Sequence, residues 1–200
     1  MPNKHKSGAG FTVIELLVSA VIIIILFSFV LANFHTARYS GEIDVVLKQI
    51  ISGVSTIRNY SIGGQLINGS FPGGGYGINF DLKNPSQFVL YAADFPDTSL
   101  AAGEVLANGV GRFTDIKFIE LCGLDATEVT SLPCQEGTWE DLGDFLEIIF
   151  SLSNGISFNY EGEDAGYKFA GGIIEHQKTG LQSYFYVSLV SGLISGGLVP

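Results

Sequence analysis

The residue with the most unusual chemical setting in this sequence is Glu15, which lies near the start of an apolar run covering residues 11–34. A helix over this run would be roughly 36 Å long, enough to cross the hydrocarbon core of a bilayer with some tilt. A carboxylate in that environment costs about 2.5 kcal/mol or more. The sequence therefore predicts a membrane-spanning helix whose acid is matched by a cationic partner.

The residues that flank this run indicate its orientation. Lys4 and Lys6 precede it, and Arg38 is the only basic residue that follows it closely. Because basic flanks stay in the cytoplasm, we expect a cytoplasmic N-terminus and an exported C-terminal part. A secretory signal has its small-residue cleavage site after the apolar run, whereas here the small residues 7–10 precede it. Cleavage after Gly10 would leave the apolar helix at the start of the mature chain.

Cys122 and Cys134 are the two cysteines of the chain, with eleven residues between them. In an oxidising compartment two cysteines most simply form one disulfide, and closing a loop of this length is worth roughly 3 kcal/mol. Two free buried thiols are the alternative. Zinc would need further ligands, and no histidine lies near. The sequence therefore predicts a disulfide in the exported part and no bound metal.

The remaining reactive side chains do not form a recognisable catalytic set. His5 lies in the basic leader, His35 follows the apolar run and His176 ends a predicted strand. None of them is paired in sequence with a nucleophile. No phosphate-binding loop, serine-hydrolase elbow or zinc-protease motif is present in the sequence. We therefore predict a protein that is not an enzyme and has no cofactor.

Acidic residues dominate the part of the chain that is predicted to be exported. The formal net charge is −10, and residues 81–175 contain seventeen acidic residues against four basic ones. Such a domain repels a nucleic-acid backbone, so no nucleic-acid partner is expected. Two acidic clusters could offer oxygen ligands to calcium, but their spacing matches no calcium loop and favours a solvated face. The clusters are Glu140, Asp141, Asp144 and Glu147, and Glu161, Glu163 and Asp164.

The elements that would position these residues begin with one long helix. Beyond residue 34 the pattern becomes amphipathic, with apolar residues at helical spacing and polar residues on the other face. A helix is predicted over residues 11–60, ended by Gly63-Gly64. The predicted parts are a leader at 1–10, a transmembrane helix at 11–34, its amphipathic continuation at 35–62 and a globular domain at 63–200. The apolar positions of the continuation are Ile43, Val46, Leu47, Ile50, Val54 and Ile57.

From Gly69 onward the sequence has the composition of β-strands. Aromatic and β-branched segments are bounded by glycine, proline and asparagine, and Asn154-Gly155 is typical of a tight hairpin. Many short strands behind one long helix predict an α+β fold in which the helix packs on an antiparallel β-sheet or β-sandwich. The predicted strands cover residues 76–81, 87–92, 113–121, 145–153, 156–160, 167–170, 173–176 and 182–190.

The junction between the leader and the helix resembles a known processing signal. Residues 6–10, Lys-Ser-Gly-Ala-Gly, precede residues 11–18, Phe-Thr-Val-Ile-Glu-Leu-Leu-Val. This combination is similar to the cleavage and methylation signal of type IV prepilins and type II secretion pseudopilins. The resemblance implies a type IV pilin-like fold, cleavage by a prepilin peptidase between Gly10 and Phe11, and N-methylation of Phe11. It also implies that Glu15 pairs with the Phe11 amine of a neighbouring subunit.

Parts of the globular domain are similar to a narrower group, the H-type minor pseudopilins. Residues 76–92 resemble their first hairpin, and residues 182–194 resemble their closing strand and glycine turn, although Leu193 stands where an arginine is often found. Many type IV pilins have a proline at the place that Ala32 occupies here, and its absence points away from a typical major pilin and toward a pseudopilin or a minor pilin. The implied partners are other pilin or pseudopilin subunits, the cytoplasmic membrane, and the assembly platform of a pilus or secretion system.

An alternative function uses the same processing signal. A membrane-anchored pilin-like module could bind a target through its β-rich domain, in DNA uptake or in adhesion. The acidic charge argues against DNA, and an anchored enzyme would need a catalytic set that the sequence does not contain. The favoured prediction is a structural subunit of a type IV pilus or type II secretion pseudopilus.

Overall fold

A computed structural model describes residues 11–93, 100, 104–134, 138–151, 155–160, 163–164 and 166–199. The chain divides into two compact units, one ending at Arg38 and the other running from Tyr39 to Pro200. We call the second unit the body. The helix predicted at the N-terminus contributes residues to both units.

Helix α1 spans Val13–Gly63 without a break, close to the predicted range of 11–60. Its C-terminus is closed by Gly64, which has a φ of 60°. The backbone N–H of Gln65 donates to the carbonyl oxygen of Tyr60 at 3.1 Å, which is the terminal bond of a glycine C-cap. The predicted stop at Gly63-Gly64 is therefore confirmed.

The described residues of the body contain eleven antiparallel strands in two sheets. The six-stranded sheet has the order β3-β2-β1-β6-β7-β8, and the five-stranded sheet has the order β11-β10-β9-β4-β5. The α+β class is confirmed. The strands are β1 (Gly75–Asp81), β2 (Gln87–Ala93), β3 (Glu104–Arg112), β4 (Ile116–Leu124), β5 (Glu140–Asp141), β6 (Phe145–Ser151), β7 (Gly155–Tyr160), β8 (Glu163–Asp164), β9 (Phe169–His176), β10 (Gln182–Ser188) and β11 (Ile194–Leu198).

The second half of α1 packs against both sheets, and all six apolar positions predicted for its inner face are buried. Gly53 lies so close to β2 that an added Cβ would be 3.0 Å from the ring of Phe88. Leu47 fills the space above Gly196 of β11, where an added Cβ would be 2.8 Å from the leucine Cδ1. One hydrophobic core therefore joins the helix to the two sheets.

The strand predictions fail at glycine-containing segments. Strands β3 and β11 are absent from the predicted set, and the short strands β5 and β8 are also missed. Strand β9 is continuous through Gly171-Gly172, where the sequence predicted a break between two strands. Strands β6 and β7 are antiparallel neighbours as predicted, with Ser151 opposite Gly155; Asn154 of the predicted turn lies outside the described residues.

Candidate functional site

Helix α1 begins at Val13 because Thr12 caps it. Thr12 Oγ1 accepts a hydrogen bond from the backbone N–H of Glu15 at 3.3 Å, and the Thr12 carbonyl oxygen lies 3.1 Å from the same nitrogen. A threonine followed three residues later by a glutamate is the sequence pattern of a capping box, of which the described residues form the threonine half. This signal was missed in the sequence, although Thr12-Val13-Ile14-Glu15 carries it.

Glu15 is exposed at the third position of the helix. Its hydrogen bonds involve only its backbone, and its carboxylate has no partner among the residues that the structure describes. A carboxylate at this position interacts favourably with the partial positive charge of the helix N-terminus. It also retains its capacity for a charge-assisted hydrogen bond to a cation.

The apolar stretch of α1 presents an uncovered surface. Val13–Leu31 is long and apolar enough to cross a membrane, with a mean hydropathy of 2.9 and none of its window buried. It is the one such segment among the described residues. Phe11 and Thr12 precede the helix, Phe11 is exposed, and Gly10 lies outside the described residues. Ala32, where many pilins have a proline, lies within the unbroken helix.

Two serines within the apolar stretch are satisfied inside the helix. The Ser19 hydroxyl donates to the Glu15 carbonyl oxygen at 2.7 Å, and the Ser28 hydroxyl donates to the Ile24 carbonyl oxygen at 2.8 Å. Serines with such back-bonds can face hydrocarbon without leaving a free donor. Glu15 is therefore the charged group that this surface presents at its N-terminal end.

Cys122 and Cys134 form the predicted disulfide. The sulfur atoms are 2.06 Å apart and the Cα atoms 5.3 Å apart. The bond joins β4 to the loop that follows it. This loop covers a small apolar cluster outside the main core, which contains Leu124 and Trp139. The disulfide therefore fastens a covering loop rather than a strand pair.

His176 belongs to a polar contact that the sequence did not reveal. It is fully buried, and its Nε2 lies 3.1 Å from a carboxylate oxygen of Glu42 on α1. Its Nδ1 accepts a hydrogen bond from the Lys178 backbone N–H at 3.3 Å, and Tyr39 packs edge-on against the ring. Because Nδ1 is an acceptor, the ring proton is on Nε2, and this N–H donates a hydrogen bond to the Glu42 carboxylate. His176 thus fixes α1 to the end of β9.

A salt bridge lies beside this histidine. Lys178 Nζ contacts a carboxylate oxygen of Asp115 at 2.5 Å. The hydrogen bond from Lys178 lowers the pKa of Asp115 below its usual range, and the same bond raises the pKa of Lys178. Both groups therefore carry their charges across the neutral range.

The first acidic cluster does not converge on a common point. Glu140 accepts from the Tyr167 hydroxyl, Asp141 accepts from the Gly143 N–H, and Asp144 pairs with a lysine. Glu147 is buried and accepts from the Leu100 N–H at 2.8 Å. In the described parts of the chain no three His, Cys, Asp or Glu residues are placed to hold a metal ion. For the second cluster, Glu161 and the side chains of Glu163 and Asp164 lie outside the described part.

The described residues define a class of protein by its architecture. It has an α+β body and, before it in the chain, a helical stretch whose apolar surface is uncovered. Comparisons of the chain with protein-family models, with curated proteins and with solved structures found no match.

Proposed function

We propose that this chain is a type IV pilin-like structural subunit. It is cut after Gly10 by a prepilin peptidase, N-methylated at Phe11, and assembled through α1 into a type IV pilus or a type II secretion pseudopilus as a minor component. The observation that carries the proposal is the uncovered apolar stretch Val13–Leu31, near the start of which the carboxylate of Glu15 has no partner among the described residues. Lipid, or the apolar helices of other subunits, must cover such a surface.

Cleavage supplies the positive charge that can pair with the Glu15 carboxylate. A new N-terminus at Phe11 carries an ammonium group, and methylation leaves its positive charge in place. Phe11 lies four residues before Glu15, so each subunit presents a cation and an anion at nearly the same level. When two helices pack in an apolar environment, the amine of one subunit meets the carboxylate of the next. A buried ion pair of this kind specifies register more than it adds stability.

The proposed location follows from the flanking residues. Before assembly the subunit is a single-pass protein of the cytoplasmic membrane, with Lys4 and Lys6 on the cytoplasmic side and the body exported. The Cys122–Cys134 disulfide suits an exported body, because disulfides persist in oxidising compartments. The acidic body disfavours the alternative of a DNA-binding module.

The test must separate two roles of Glu15, because a carboxylate at N3 also interacts favourably with the N-terminus of its own helix. Glutamine at N3 can still serve in a capping box but carries no charge. We therefore compare Glu15→Gln, Glu15→Leu and Thr12→Val in cells that contain the assembly machinery. We expect all three variants to enter the membrane. Both Glu15 variants should be depleted about tenfold or more from sheared filaments, since each loses a charge-assisted bond, whereas Thr12→Val should assemble.

Immunoblots of the membrane and filament fractions measure this outcome. If Glu15→Gln enters filaments at the wild-type level, the charge of Glu15 is not needed for assembly and the pairing mechanism is wrong. If all three variants assemble normally, the proposed role of this helix end is also wrong.

A further inference from the structure

Strand β3 forms one edge of the six-stranded sheet and departs from regular pairing in its middle. Val110 pairs with Val89 and Val105 pairs with Tyr91, so residues 106–109 of β3 stand opposite Leu90 alone. An ordinary bulge inserts a single extra residue. The longer insertion in β3 forms one side of a groove, and the second half of α1 forms the other side.

This groove lies within the body and has a volume of about 570 Å³, within the usual range for binding sites. Phe88 and Leu90 of β2 provide an apolar floor, and Gln49, Ser52 and Thr56 of α1 provide a polar wall. Two glycines of β3 line the opposite side, at positions 109 and 111, and an added Cβ at Gly111 would lie 2.4 Å from the ring of Phe88. The groove is thus amphipathic, with an apolar floor and a polar wall.

Arg112 gives the groove a positive charge that is not paired with a carboxylate among the described residues. The lysines of the body are paired with carboxylates, at Nζ–O distances between 2.5 and 3.5 Å. Among the described residues of the body, Arg58 and Arg112 are the basic side chains without such a partner. Only Arg112 lines the groove. In a chain with twenty acidic and ten basic residues, an unpaired arginine beside a groove favours an anionic ligand.

The edge of β3 offers backbone groups to the same ligand. The Phe113 N–H donates to the Ser86 carbonyl oxygen at 2.8 Å, toward β2. Because backbone groups alternate in an antiparallel pair, the N–H groups of Val110 and Arg112 point away from β2. Val110 is also 38% exposed. An extended chain can add to such an edge through main-chain hydrogen bonds.

We infer that this groove binds an extended segment of a partner protein that carries one carboxylate side chain between apolar or β-branched residues. The segment adds to the edge of β3 at Val110 and Arg112, its carboxylate binds the Arg112 guanidinium, and an apolar side chain contacts Leu90. The inference goes beyond the proposed function, since it rests only on contacts within the body and holds whether or not α1 assembles into a filament.

Selection of a random hexapeptide phage library on the full chain in detergent micelles tests this inference. We expect the enriched peptides to share an Asp or Glu flanked by β-branched residues. A synthetic peptide from the enriched set is then titrated by fluorescence anisotropy. Changing its acid to the amide should weaken binding about tenfold, and Arg112→Gln should weaken it equally, with no further loss when the two changes are combined.

Further variants test the backbone contact and the groove. Val110→Pro removes an outward N–H and should abolish binding, whereas Val110→Thr keeps that group and should bind normally. Ser52→Phe fills the groove from an exposed position on α1 and should also abolish binding, which covers the case in which Val110→Pro does not fold. Arg58→Gln is the matched control and should bind as the wild type does. Enrichment of no peptide, or normal binding by both Arg112→Gln and Ser52→Phe, would overturn the inference.

Discussion

Two glutamates of α1 illustrate how differently one residue type is used along a single helix. Glu15 is exposed and its carboxylate has no partner among the described residues, whereas Glu42 binds the buried His176. In the sequence both have the same chemistry, and the polar residues of this part of the helix were predicted only to lie opposite its apolar face. Its actual contact is with a residue 134 positions away, which no local pattern could indicate.

The His176–Glu42 contact leads to a prediction about stability. Glu42→Leu leaves the Nε2–H of a fully buried imidazole without its acceptor, which should lower the free energy of unfolding by about 1–3 kcal/mol. Glu42→Gln retains an acceptor oxygen at the same place and should cost less than half as much. Denaturant titration of the detergent-solubilised chain measures both values. Equal losses for the two variants would show that charge, and not hydrogen bonding, holds His176.

The Asp115–Lys178 pair predicts a dependence of stability on pH. The folded pKa of Asp115 is lowered, so its contribution is present above the ordinary aspartate pKa of about 3.9 and is lost as the pH falls through the folded value. Asp115→Asn should therefore lose less stability than the wild type on acidification. Asparagine also tolerates the φ of 61° at this position, which makes it a matched replacement.

Denaturation midpoints measured from pH 6 down to pH 2 check this difference. Lys178 titrates at the other end of the scale: its raised pKa means that its contribution is present below the ordinary lysine pKa of about 10.4 and is lost above it. Lys178 is exposed and Asp115 is only half-buried, so the effect should be small. Identical acid profiles for the wild type and Asp115→Asn would contradict the prediction.

At the scale of elements, the glycines account for most of the difference between the predicted and observed strands. Glycine lowers local strand propensity, so segments with glycine pairs were interpreted as breaks or turns. In the structure these glycines make room for neighbours. An added Cβ at Gly171 would lie 2.8 Å from the Cα of Tyr186, and one at Gly196 would meet Leu47. The reason that glycine is needed at these positions becomes evident only from the residues packed against them.

The loop closed by Cys122–Cys134 allows a prediction at this scale. Replacing both cysteines with alanine frees the loop in the unfolded chain and should cost roughly 3 kcal/mol, or about 6–12 °C in Tm for a chain of this size. The double variant is preferred because a single one leaves a free thiol. Thermal unfolding with and without reductant checks the effect, and the reduced wild type should match the double variant. A Tm change below about 2 °C would show that the loop is held by its apolar contacts alone.

At the scale of the whole molecule, the two units differ in the solvent that they require. The stretch Val13–Leu31 is apolar on all sides, whereas the body is acidic at its surface and has a continuous apolar core. Within the body, contacts between residues that are distant in sequence determine how the two sheets and the helix come together. Such contacts depend on the complete fold, so element order alone could not predict the two strand orders.

The proposed processing predicts the chemical form of the whole mature chain. In cells with an active prepilin peptidase, the N-terminus should be N-methylated Phe11, and mass spectrometry of the purified protein measures this directly. Gly10→Phe should block cleavage because a bulky side chain keeps the peptidase from the backbone, while Ala9→Ser should be cut normally. An intact leader beginning at Met1 in the wild-type protein would contradict the proposal.

The sequence by itself determined the long helix, its end at Gly63-Gly64, its buried apolar stripe and the cysteine pair, because these follow from local periodicity, glycine conformation and the count of thiols. Glu15 was also evident, since a charge in an apolar run has a cost wherever the chain folds. Only the tertiary structure decided the two sheet orders, the His176–Glu42 contact and the groove beside Arg112. Each of these depends on residues that are distant in sequence and that meet only when the core is complete.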